Sequence, residues 1–202
     1  IVPSGNLIGG GVRSAGTYRI HLQGSLSETR NPLDLAIQGR GYFVIQLPNG
    51  VVGYTRDGSF QLSPTGQIVT ASGYVVQPAF AVPPNAKQVS VNTEGLVQVS
   101  VDGQVQPVTL GQFTMATFPS DVGLQPFGGN IYLETAASGG AVQGPAGSPG
   151  FGTIQQGFLE ASNTDIVSEL TSLITAQRAY EMNSKVIQAT DQMMQTTNQL
   201  KA

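Results

Sequence analysis

The positions of the helix-breaking residues divide the chain into two parts. All 26 glycines lie at or before Gly157 and all 12 prolines lie at or before Pro149, so residues 158–202 contain neither. Glycine and proline mark turns and interrupt helices, and a long segment that lacks both favours a continuous helix. The sequence therefore predicts a mainly β chain that ends in one long C-terminal α-helix.

The glycine-rich part has the pattern of many short strands. Polar and apolar residues alternate in short runs that turn residues separate. The runs predicted as strands are 35–37, 42–47, 51–56, 59–62, 67–70, 74–78, 89–91 and 96–101. This period-two alternation predicts strands with one buried and one solvated face, and turns about every 8–12 residues indicate an antiparallel β-sandwich or open barrel. We expect Asn49-Gly50 to close a two-residue hairpin and Gly39-Arg40-Gly41 to form a bulge or tight turn. Residues 136–152, which carry no charge, are predicted to be an ordered surface loop or a flexible linker.

The C-terminal part has the pattern of an amphipathic helix with a coiled-coil-like stripe. Polar caps at 162–164 and Asp165 mark its start, and an apolar residue then recurs every seven positions from Ile166. A helix from 164 to 200 would be about 55 Å long, which is more than a compact domain of this size needs. The predicted assembly interface consists of the following residues: Ile166, Leu170, Leu173, Tyr180, Ile187 and Met194.

This apolar stripe needs a surface to cover it. Outside the C-terminal part, no segment has helical periodicity for more than a turn or two. The stripe could lie on the β domain, on another subunit, or on a segment outside this chain. The other faces of the helix carry amides and hydroxyls rather than many charges, which suits packing on several sides in an assembly.

Composition excludes several classes of function. The chain has no cysteine, one histidine and a net charge of -3, so thiolate sites, multi-histidine metal sites and a basic field for nucleic acid are not expected. A catalytic triad would have to use His21, the only histidine, but the sequence has no G-x-S-x-G motif for a nucleophilic serine. No phosphate-loop, EF-hand or zinc-protease motif occurs either. We therefore predict no enzymatic activity, no cofactor, no metal and no small-molecule substrate. A β-rich adhesin or phage tail component and a β-sandwich hydrolase that uses His21 remain alternatives.

Three regions resemble the bacterial flagellar rod and hook family. Residues 34–43, DLAIQGRGYF, are similar to the family's D-x-A-I-x-G-x-G-F/Y-F signature, and residues 54–60, YTRDGSF, are similar to its Y/F-T-R-D/N-G-x-F hairpin. Residues 177–185, QRAYEMNSK, and the preceding 162–165, SNTD, resemble its C-terminal helix. Within the family, the A-Y-E-x-N-S-K form and the opening segment 2–13 favour the distal rod over the hook and the proximal rod.

The resemblance implies a structural role and a set of partners. It implies self-assembly into a rigid helical rod that transmits motor torque to the hook, with the hook or proximal rod protein as the alternative identity. The partners it implies are further copies of the chain, the proximal rod proteins, the hook protein and the P-ring and L-ring proteins. It also implies type III export and a place in the basal body, spanning the periplasm toward the outer membrane. The family's N-terminal helical region, which pairs with the C-terminal helix, is absent from this sequence.

These observations predict three regions. Residues 1–30 form an extended segment that joins the β domain, residues 31–157 form the antiparallel β domain rich in glycine and proline, and residues 158–202 form the coiled-coil-like helix.

Overall fold

The computed structural model describes residues 20–104 and 106–200, with side chains described through residue 196. Residues 1–19, which include most of the segment predicted to be extended and the opening motif 2–13, lie outside the described residues. The chain divides into two compact units, Ile1–Glu160 and Ala161–Ala202. The described part of the first unit holds all the strands, and the second holds one helix, α1 (Ile166–Leu200).

The strands of the first unit are short and pair in antiparallel fashion. In chain order they are β1 (Leu26–Glu28), β2 (Leu35–Gln38), β3 (Tyr42–Gln46), β4 (Val52–Thr55), β5 (Phe60–Leu62), β6 (Ile68–Thr70), β7 (Val75–Val76), β8 (Ala86–Val91), β9 (Leu96–Val101), β10 (Val108–Gln112), β11 (Thr114–Thr117), β12 (Gln125–Gly128), β13 (Ile131–Leu133), β14 (Val142–Pro145), β15 (Thr153–Gln156) and β16 (Phe158–Glu160). The largest sheet has the order β12-β13-β4-β3-β7-β6-β5, with β11 joining β3 and β14 joining β11. The remaining strands form a three-stranded sheet, β10-β9-β8, and the pairs β1-β16 and β15-β2.

The structure confirms the predicted fold class, a mainly antiparallel β domain with one long C-terminal helix. The described strands do not close into a barrel, since the largest sheet runs from β12 at one edge to β5 at the other. A single-turn 3-10 helix (Asp121–Gly123) is the other regular helical element among the described residues.

Strand β3 lies between two hydrophobic cores. Phe43 and Ile45 belong to the larger core, and Tyr42 and Val44 belong to a smaller one. All four side chains are buried, so the prediction of one solvated face is wrong for this strand. Its run of consecutive apolar residues is the pattern of a strand that is covered on both sides.

The turn between β3 and β4 differs from the predicted two-residue hairpin. Leu47 N–H donates to the carbonyl of Val51 (2.9 Å), and Gly50 N–H donates to the carbonyl of Leu47 (2.9 Å). Gly50 has a φ of 77°, but Asn49 has no positive φ. The loop therefore has three residues and starts with Pro48, whose ring fixes a negative φ, so Gly50 alone takes the left-handed conformation.

Residues 136–152 are part of the folded β domain. Of the two predicted alternatives, the flexible linker is wrong and the ordered segment is closer to the structure. Residues 136–152 contain β14, which pairs with β11 along its full length. Ser138 is fully buried, and its hydroxyl contacts the backbone carbonyls of Thr135 (2.9 Å) and Gly139 (3.1 Å). Ala146 packs in the larger core. Small residues are needed here, because a Cβ on Gly144 would lie 2.7 Å from the ring of Phe151 and a Cβ on Gly152 would lie 2.4 Å from the carbonyl oxygen of Gln38. A composition rich in small residues is also typical of a linker.

The glycines between β2 and β3 form the tight turn that the sequence predicts. Gly39 and Gly41 have φ angles of 106° and 136°, which residues with a Cβ rarely adopt. A Cβ on Gly39 would also lie 3.1 Å from the Cα of Gly152, a backbone atom that cannot move aside as the end of a side chain can. The turn therefore requires glycine for both its backbone conformation and its packing.

Candidate assembly interface

Helix α1 begins directly after a capping carboxylate. Asp165 Oδ1 accepts hydrogen bonds from the backbone N–H groups of Val167 (3.0 Å) and Ser168 (3.5 Å), which have no partner inside the helix. No glycine or proline follows, and the helix continues for 35 residues. Its length is about 52 Å at 1.5 Å per residue. No helix in the described part of the chain is both long and apolar enough to cross a membrane.

The six predicted interface residues are all exposed. The exposed fraction ranges from 55% for Leu170 to 78% for Tyr180, with the other four between these values. Large apolar side chains that are exposed at regular intervals along a helix are the pattern expected of an interaction surface. The six side chains are therefore accessible to a partner in the free subunit. Which surface packs against them stays a prediction.

The exposed apolar surface of α1 is wider than the predicted stripe. Val167, Ile174, Val186 and Met193 flank the stripe and are exposed by between 49% and 72%. Met182, which was not predicted, is 62% exposed. It comes two positions after Tyr180, and two residues correspond to about 200° of rotation around a helix. Helix α1 therefore presents apolar side chains on more than one side.

A largely buried ion pair joins β16, the last strand before α1, to the rest of the β domain. Oε2 of Glu160, the last residue of β16, lies 2.9 Å from both Nε and Nη2 of Arg56, and the two side chains are only 12% and 22% exposed. Arg56 Nη1 also donates to the carbonyls of Gly39 (3.1 Å) and Gly41 (3.2 Å), and Nη2 donates to the carbonyl of Ile37 (3.4 Å). One guanidinium thus connects the residue after β4, the turn between β2 and β3, and β16. We call this cluster the Arg56–Glu160 junction.

The segment that enters the β domain meets the same junction. The N–H of Gly24 donates to the second carboxylate oxygen of Glu160 (2.9 Å), and Leu26 of β1 pairs with Glu160 across the β1–β16 ladder. The side-chain amide of Gln23 makes two hydrogen bonds of 3.0 Å to the backbone of β2 and the turn that follows it. The strand that enters the domain therefore lies beside the strand that leaves it toward α1.

Sequence reasoning did not find this junction. Arg56 was recognised only as part of the motif Y-T-R-D-G-S-F, and Glu160 was not singled out. The two residues are 104 positions apart, so no local spacing relates them. The one available signal was that an arginine close to strand residues needs acceptors for five donor N–H groups.

His21 lies beside two tyrosine side chains of the β domain. Its ring is edge-on to Tyr132 with 5.4 Å between the ring centroids, and its Nδ1 is 3.4 Å from the hydroxyl oxygen of Tyr42. These contacts place the histidine among aromatic side chains that pack on the smaller core. Across residues 20–104 and 106–200, no group of three or more histidine or carboxylate side chains could hold a metal ion.

Replacing Tyr42 with phenylalanine is expected to reduce the loss of stability at alkaline pH. Burial raises the pKa of Tyr42 far above its ordinary value of 10.0, and the Asp121 carboxylate raises it further. The folded state therefore favours the neutral phenol. The stability that this preference contributes is fully present below pH 10 and is lost as the pH rises above 10, where the phenol of the unfolded chain ionises. The free energy of unfolding of the unsubstituted protein should fall by about 1 kcal/mol more per pH unit in that range than that of Tyr42→Phe. Urea unfolding at a series of alkaline pH values measures both slopes, and equal slopes would contradict the prediction.

Two family models match this chain. One, described as the flagellar hook protein FlgE/F/G D1 domain, matches residues 36–99, which run from β2 into β9. The other, described as the flagellar basal body rod FlgEFG protein C-terminal region, matches residues 155–200, which include β16 and α1. Glu160 and the six predicted interface residues all lie in the second match.

Curated relatives match over the whole chain. The flagellar basal-body rod protein FlgG of Caulobacter vibrioides is 54% identical over 202 residues, which are 100% of this chain and 77% of the relative. FlgG of Buchnera aphidicola is 46% identical over 199 residues, which cover 98% of this chain and 76% of the relative. The flagellar hook protein FlgE of Salmonella typhimurium is 41% identical over 106 residues, which cover 52% of this chain and 26% of the relative.

Proposed function

The chain belongs to the family of flagellar basal-body rod proteins, and on this premise we propose that it is the subunit that builds the distal rod. It is a structural protein of the flagellar basal body and serves motility; it is not an enzyme. The observation that carries the proposal is the extent of the match. The rod proteins of Caulobacter vibrioides and Buchnera aphidicola align with 100% and 98% of the chain, whereas the hook protein aligns with 52%.

The proposed mechanism is self-assembly through α1 into a rigid helical tube. The interface contains Ile166, Leu170, Leu173, Tyr180, Ile187 and Met194, which pack as in a coiled coil on neighbouring copies and on the family's N-terminal helical region. The exposure of all six supports this, since burial of apolar surface is the main driving force for association. The flanking apolar residues Val167, Ile174, Val186 and Met193 widen the surface that this interface can bury.

Torque transmission requires that β16, the last strand before the helix, stays fixed in the β domain. The Arg56–Glu160 junction supports this role, because it fixes β16 to two other parts of the domain only a few residues before α1 begins. Two nitrogens of the Arg56 guanidinium lie 2.9 Å from the same carboxylate oxygen of Glu160, and this arrangement restricts the orientation of the pair as well as its distance. The β domain would then follow the movement of the strand that leads into the helix.

The proposed partners follow from the position in the flagellum. They are the proximal rod proteins on one side, the hook protein on the other, and the P-ring and L-ring proteins around the rod. The rod would cross the periplasm toward the outer membrane, and the subunits would reach it through the flagellar type III export apparatus.

Helical reconstruction of purified basal bodies tests the proposal. The sample would come from cells in which a small tag has been inserted at residues 48–50, the exposed turn between β3 and β4. We expect the tag density to repeat along the distal rod and α1 to lie among other helices. Tag density confined to the hook or to the proximal rod would contradict the proposal.

A further inference from the structure

The four methionines of the chain fall into two classes of exposure. Met115 of β11 is 0% exposed and packs in the larger core. Met182, Met193 and Met194 of α1 are 62%, 70% and 63% exposed. The chain has no cysteine, so these thioethers are its oxidisable sulfur groups. Three of the four are therefore open to solvent on one helix.

Exposure determines how a thioether reacts with oxidants that transfer two electrons. Hydrogen peroxide gives one oxygen atom to the sulfur, so that the thioether becomes a sulfoxide and the peroxide becomes water. The reaction requires access to the sulfur, and it converts a flexible apolar side chain into a polar one. From the geometry we infer that Met182, Met193 and Met194 form an oxidation site of the unassembled subunit, at which peroxide-type oxidants convert the thioethers into sulfoxides.

Oxidation at this site has a consequence that depends on position. Met194 follows Ile187 by seven residues and lies in the predicted interface, so its sulfoxide would place a strong hydrogen-bond acceptor on a surface that packs against apolar side chains. Met182 lies about 200° around the helix from Tyr180 and outside the stripe. Oxidised Met194 therefore prevents a subunit from joining the rod, whereas oxidised Met182 does not. This second part rests on the proposed function.

The first experiment concerns the purified chain alone. Treatment with dilute hydrogen peroxide, followed by digestion and mass spectrometry, measures the oxidation rate of each methionine. We expect the peptides of α1 to oxidise about tenfold faster than the peptide that contains Met115. Similar rates for all four residues would overturn the assignment of the site, whatever the function of the protein.

The second experiment concerns assembly. In cells that carry a single substitution, Met194→Gln, which mimics the polarity of the sulfoxide, should reduce motility strongly, and Met182→Gln should leave it unchanged. In intact basal bodies, Met194 should oxidise about tenfold more slowly than in the purified chain, because the interface is dry. Equal motility of the two variants, or equal oxidation of Met194 in rods and in the free chain, would overturn the inference. If aspartate substitutions elsewhere in the stripe abolish rods in the same cells, the proposed function stands and this inference alone fails.

Discussion

Cells that carry both Leu173→Asp and Ile187→Asp are expected to make no distal rod and to be non-motile. Both side chains are 62% exposed in the free subunit and lie one stripe position on either side of Tyr180. Burial of an unpaired carboxylate in an interface costs about 3 kcal/mol or more, so two substitutions weaken each subunit contact by about 10⁴-fold. Soft-agar motility and electron microscopy of purified basal bodies measure the outcome.

A matched control separates the stripe from a general effect of charge. The variant Thr175→Asp and Ala189→Asp adds the same two charges at positions two residues after each stripe residue, on another side of the helix. It should assemble far better than the stripe variant. Both variants should leave the thermal unfolding of the β domain unchanged, because all four positions are exposed. Normal rods from the stripe variant would refute the proposed interface.

The second large effect is expected at the Arg56–Glu160 junction. The substitution Arg56→Gln removes the only described cation that pairs with Glu160, and it leaves a carboxylate that is 12% exposed. Three backbone carbonyls lose a donor at the same time. Loss of one partner of a largely buried pair costs about 3 kcal/mol, which corresponds to a fall of about 6 to 12 °C in the melting temperature of a unit of this size. Calorimetry of the purified chain measures the shift.

An exposed ion pair provides the control for this substitution. Lys87 and Asp102 are 2.7 Å apart, but their side chains are 65% and 71% exposed, so Lys87→Gln should cost about 0.5 kcal/mol or less. Hydrogen exchange should become faster in β1 and β16 of the Arg56→Gln variant, where the junction holds the two strands. Arg56→Lys should recover only part of the stability, because an ammonium cannot reproduce the fork of donors. A stability loss no larger than that of Lys87→Gln would show that the junction is not an anchor.

The β domain shows where local patterns are reliable. The runs that were predicted as strands from Leu35 to Val101 correspond to β2 to β9 with small changes at their ends. The strands that were missed lie largely after residue 107, where β12 and β14 contain glycine and proline and few apolar residues. Their pairing with β13 and β11 makes them strands, and the partner supplies hydrogen bonds that the local sequence does not reveal.

The candidate interface could be predicted because helical periodicity is local. From Ile166 to Met194 an apolar side chain recurs every seven residues, in a segment without glycine or proline. The sequence by itself therefore determined the helix, its apolar stripe and the fold class. Only the tertiary structure revealed that β3 separates two cores, that residues 136–152 belong to the domain, and that Arg56 meets Glu160. Those features depend on contacts between distant parts of the chain, and the composition or spacing of one segment does not specify which distant segment will cover it.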